Sequence, residues 1–75
     1  MKENIIVALS ELKEEQGISK NVKICVERII SHIQNDAELG KDKALAEIEE
    51  MMSGNNVEQH IRTQIWNVVS MIESL

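Results

Sequence analysis

The sequence predicts an all-α protein, an up-and-down four-helix bundle made of two tandem helical hairpins. Three observations point there. Apolar residues recur along four segments at the i, i+3, i+4, i+7 spacing of an amphipathic helix, and no run alternates with the strand period of two. Proline is absent and Trp66 is the only aromatic residue, so Ile, Val, Leu and Met must fill the core, which suits helix–helix seams. Finally, a single ungapped offset of 39 residues carries Ile18, Val22, Val26, Ile29, Ile30 and Ile33 onto Val57, Ile61, Ile65, Val68, Val69 and Ile72. The same offset carries Ile6, Leu9 and Leu12 onto Leu45, Ile48 and Met51.

The first helix is expected from about Glu3 to Gln16, with Ile5, Leu9 and Leu12 along its stripe and Ile6 on the edge. Gly17 then takes the left-handed conformation that ends helices at little steric cost. Ser19 is a good N-cap for the second helix, because its hydroxyl can accept from an otherwise orphaned amide. That helix carries Val22, Val26, Ile29, Ile30 and Ile33 on one side. Asn35, Asp36 and Gly40 mark what composition makes the longest connection. The third helix is expected from about Asp42, with Ala44, Leu45, Ile48, Met51 and Met52 on a common face. The stretch Ser53-Gly54-Asn55-Asn56 has turn composition, and Asn56 with Gln59 resembles a capping box for the fourth helix. The fourth stripe is Ile61, Ile65, Val68, Val69, Ile72 and Leu75.

The hairpins, about 5–34 and 44–73, are expected to superpose with turns of equal length in one domain spanning 1–75. Their period also resembles that of HEAT-type repeats, but two units fall short of the three or so a solenoid needs, which favours closure into a bundle.

At 75 residues the chain is near the lower limit for a self-sufficient core, burying roughly 62% of its unfolded surface. Cys25 is the only cysteine, so no internal disulfide supplements that core, and a reducing compartment fits better than secretion. The apolar start Ile5 to Leu9 is too short for a signal peptide, and no run approaches the ~18 residues of a membrane span. A cytoplasmic protein is therefore expected. With a formal charge of −5, scattered basic residues and one aromatic, nucleic-acid binding is disfavoured.

The closing helix, His60-Ile61-Arg62-Thr63-Gln64-Ile65-Trp66-Asn67-Val68-Val69-Ser70-Met71-Ile72-Glu73, resembles the small archaeal uncharacterised protein family 0147. Arg62-Thr63, then Ile65-Trp66 and later Ser70, are the most specific part of the likeness, which extends over nearly the whole chain. The resemblance implies a four-helix bundle, an archaeal cytosolic setting, no assigned activity and no catalytic residues. The chain departs from the family pattern in lacking proline around Ser19 and Glu58.

No residue constellation matches a chemistry. Cys25 and His32 share a flank of the second helix, but seven residues put them about 10.5 Å apart in rise, too far for one metal. His60 has no HExxH or CxxC beside it. His32 and Asp36 suit a surface pair. The carboxylates Glu11, Glu14, Glu15, Glu47, Glu49 and Glu50 lie on polar faces, where nothing splits their pKa values for acid–base work. The serines lack a base or a glycine-rich elbow. Neither an enzyme nor a cofactor or metal is expected. Met51 and Met52 are expected as core filler before a binding groove.

Trp66 stands out because it lies about 130° from the centre of its stripe. Its counterpart by the 39-residue offset is Glu27, which suits an ion pair with Lys23, whereas Trp66 suits a cation–π contact with Arg62. Val7 and Ile24 also lie off their stripes. Trp66 either folds over a neighbouring helix to finish a small core or anchors an interface. Trp66, Arg62, Ile24 and Val7 are thus the candidate interface residues. The function that fits best is a non-enzymatic module that self-associates, as a two-fold dimer, or docks an unknown protein partner. The alternative is a small-molecule or metal-dependent activity with a site formed across a dimer interface.

Overall fold

Each apolar stripe winds into a helix. In the computed structural model, which describes residues 2–35, 39–54 and 57–75, α1 spans Lys2–Lys13, α2 Lys20–Asn35, α3 Leu39–Gly54 and α4 Gln59–Glu73. Among the described residues there is no strand. The helices form a ring in which α1 and α3 each pack on both α2 and α4. A 16-residue helix is about 24 Å long, so the helices span most of the 30 Å axis of a body measuring 30 × 21 × 18 Å.

The core is the meeting of the four stripes. Ile5, Leu9 and Leu12 of α1, with Val22, Val26, Ile29 and Ile33 of α2, are almost wholly removed from solvent. So are Ala44, Ile48 and Met51 of α3 and Ile61, Ile65, Val68 and Ile72 of α4, each 39 residues on from its counterpart in the first hairpin. Each large aliphatic side chain buried in this way contributes about 1.5–3 kcal/mol of transfer free energy. Ile6, Ile30, Leu45, Met52 and Val69 are half-buried at the edges, and no polar residue among those described is buried in the core. Leu75 is an exception to the expected stripe. It lies beyond the end of α4 and is 40% exposed.

Helix ends depart from the sequence expectation in three places. First, α1 stops at Lys13, three residues early. There the amides of Glu14 and Glu15 donate to the carbonyls of Glu11 and Leu12, a tighter i→i−3 turn leading to Gly17. Gly17 has φ +87°, a left-handed conformation that favours glycine; a Cβ built on it would lie 3.0 Å from Oε2 of Glu58, the end of an exposed side chain that can move aside. Second, α3 begins at Leu39 rather than Asp42, and Gly40 is buried inside it. Of the residues taken to mark the longest connection, Asn35 ends α2 and Gly40 lies within α3, while Asp36 lies outside the described residues. Gly40 and Ala44 are small residues on the buried face of α3, the helix that packs most closely on α2. Third, Ser53 and Gly54 belong to α3. Ser53 Oγ donates to the Glu50 carbonyl at 3.2 Å, adding a bond to that last turn.

The expected equality of the two intra-hairpin turns depends on residues 55 and 56, which lie outside the described residues. The following helices start at Lys20 and Gln59, still 39 residues apart. Ser19 caps α2 as expected, its Oγ accepting from the Val22 amide at 3.2 Å. At α4 the N-cap is Glu58, with no side-chain cap bond, and the expected cap Asn56 lies outside the described residues.

Candidate functional site

A groove of about 440 Å³ runs between α3 and α4, the most loosely packed pair of neighbours in the ring. Leu45, Ile48 and Met52 of α3 and Val69 of α4 form its floor and walls. Trp66, 57% exposed, stands along its edge. Arg62, Glu49 and Glu73 supply charges of both signs around it, and among the described residues none of the three forms an ion pair. The Nε of Arg62 donates to the Val57 carbonyl at 3.3 Å, which fixes the stem of the side chain beside the helix start. The smaller hollow between α1 and α4, about 250 Å³, has Glu11, Glu15, Gln64 and Asn67 in its walls and is correspondingly more polar.

The matching face of the first hairpin is built differently. Offset by 39 residues, Met52 becomes Lys13 and Trp66 becomes Glu27, and these two meet across α1 and α2 with Nζ 3.5 Å from Oε2. Glu27 therefore pairs with Lys13 of α1, not with Lys23 on its own helix. Lys13 is half-buried at the edge of α1 that adjoins α2, within reach of Glu27. An ion pair covers the edge of one hairpin where a methionine and a tryptophan line a groove in the other.

Of the four residues expected at an interface, Arg62 and Trp66 come together in this groove. Val7 on α1 and Ile24 on α2 are exposed, at 55% and 39%, but do not line it. The adjacent methionines divide their roles: Met51 is core, and Met52 lines the groove.

The polar clusters elsewhere knit elements together. Glu47 of α3 joins α2, its Oε1 3.1 Å from Nη1 of Arg28 and its Oε2 4.0 Å from Nε2 of His32. The pair expected between His32 and Asp36 involves a residue outside those described. Half-buried Cys25 lies by the same seam, and its thiol pKa is pushed up, first by burial and then by Glu47, with Arg28 acting the other way. His60 ties the start of α4 to the first turn, with Nε2 3.1 Å from the Gln16 carbonyl and Nδ1 3.4 Å from Oε2 of Glu58. No group of three His, Cys, Asp or Glu side chains among the described residues is placed to hold a metal ion. No helix among them is long and apolar enough to cross a membrane.

A sequence profile of an uncharacterised protein family, UPF0147, matches residues 1–75. The chain belongs to that family. No curated protein and no solved structure matches it. UPF0147 membership agrees with the resemblance carried by the closing helix, and it assigns no biochemical activity. For this UPF0147 protein the α3–α4 groove is apolar where the matching edge of the first hairpin carries an ion pair.

Proposed function

We propose that this UPF0147 chain is a non-enzymatic, cytoplasmic interaction module that docks a protein on its α3–α4 groove. Its two hairpins are two copies of one unit, the second of which has gained an apolar docking face. The observation that carries this reading is the replacement of the Lys13–Glu27 ion pair by Met52 and Trp66 at the equivalent edge. Tryptophan presents a large rigid surface at low entropic cost and is enriched among the residues that dominate interfaces. A polar rim around an apolar centre is the usual anatomy of such a surface. The lone, half-buried Cys25 supports a reducing compartment.

The test places a photo-cross-linking amino acid, p-benzoylphenylalanine, at position 66 and irradiates intact cells making the variant. Protein adducts at position 66, absent when the probe replaces exposed Ser31, are the expected result. Failure to form any protein adduct from position 66 overturns the reading.

A further inference from the structure

Resting on that reading, we propose that the occupant of the groove is a second copy of this chain, its α4 packed antiparallel on the first across a two-fold axis near Asn67 and Val68. Charge and register both favour it. Arg62 and Glu73 border the same groove, eleven residues apart on α4, about three helical turns. A two-fold axis midway between them sets Arg62 of each copy against Glu73 of the other, so one rim carries its own complement. The same register sets Trp66 of each copy over Val69 of the other, closing apolar surface on apolar surface. All four positions fall on one side of α4, since Arg62, Trp66, Val69 and Glu73 follow the i, i+4, i+7, i+11 spacing.

The size of the body bounds the contact: its largest cross-section, 30 × 21 Å, allows at most roughly 600 Å² per partner, the low end for a stable interface. The net charge of −5 opposes association, but the Arg62–Glu73 pairs put opposite charges at the contact, and repulsion across the body is screened beyond about 8 Å at physiological salt. A contact of this kind adds apolar burial to a chain near the lower size limit for a lone core.

The test is sedimentation equilibrium of wild type, Arg62→Glu, Glu73→Arg and an equimolar mixture of the two variants, with helix content checked by circular dichroism. Wild type is expected to dimerise with concentration, with a parallel blue shift of Trp66 emission. Each variant alone sets like charges together and is expected to dimerise about tenfold or more weakly. The mixture restores both opposite-charge pairs and is expected to regain wild-type association. Glu73→Arg, at the exposed end of α4, decides the matter alone if Arg62→Glu lowers the melting temperature. A dimer indifferent to both substitutions, or a mixture no better than its components, overturns the proposal. So does a wild type that stays monomeric. Position-66 adducts to other proteins then leave the groove reading standing, and no adducts at all overturn both.

Discussion

At the core positions the two hairpins are alike. Ile33 and Ile72, or Val26 and Ile65, occupy equivalent places on α2 and α4 and are equally buried. At the outer edge they diverge, because Lys13 and Glu27 present an ion pair where Met52 and Trp66 present apolar surface. The contrast separates two kinds of selection on one architecture. Positions facing the bundle axis accept only apolar residues, since an unpaired polar group there costs several kcal/mol. Positions at the helix edge are under no such constraint, so polar and apolar solutions both fold, and the choice reports what the edge meets.

The core is where the largest effects are expected. Ile33→Ala and Ile72→Ala should each lower stability by about 2–5 kcal/mol in urea denaturation of dilute protein, and by similar amounts. A cost several-fold smaller in one hairpin would break the equivalence. A smaller and unequal effect is expected at the caps. Ser19→Ala removes the bond to the Val22 amide and should cost about 1 kcal/mol. Glu58→Ala removes no cap bond and should stay within about 0.5 kcal/mol of wild type. Equal costs at the two caps would show that the hairpins start their second helices in the same way after all.

Most of the fold was legible because helical periodicity reports the buried face directly. Ile5, Leu9 and Leu12, and the corresponding sets on α2, α3 and α4, follow from spacing alone. Helix ends were less legible, and Gly40 shows why. Glycine by composition signals a connection, yet where α3 turns its buried face to the core a missing side chain suits close packing. The exposure of Trp66 followed from its angle on the helical wheel. The groove beside it did not, because it depends on how far apart α3 and α4 settle, and Met52 by spacing alone looked like core. The Lys13–Glu27 pair was missed for a related reason: local spacing offered Lys23, and only the packing of α1 on α2 brings Lys13 within reach.

The central claim is that the edge formed by Met52 and Trp66, rather than the shared core, makes the second hairpin the docking face. The most direct measurement is sedimentation equilibrium of the double variant Met52→Lys/Trp66→Glu, which gives the second hairpin the ion pair of the first. The variant should fold with unchanged helix content, since Lys13 and Glu27 already occupy the equivalent positions in a folded hairpin. It should remain monomeric at concentrations where wild type is dimeric. A folded variant that dimerises as tightly as wild type would contradict the account.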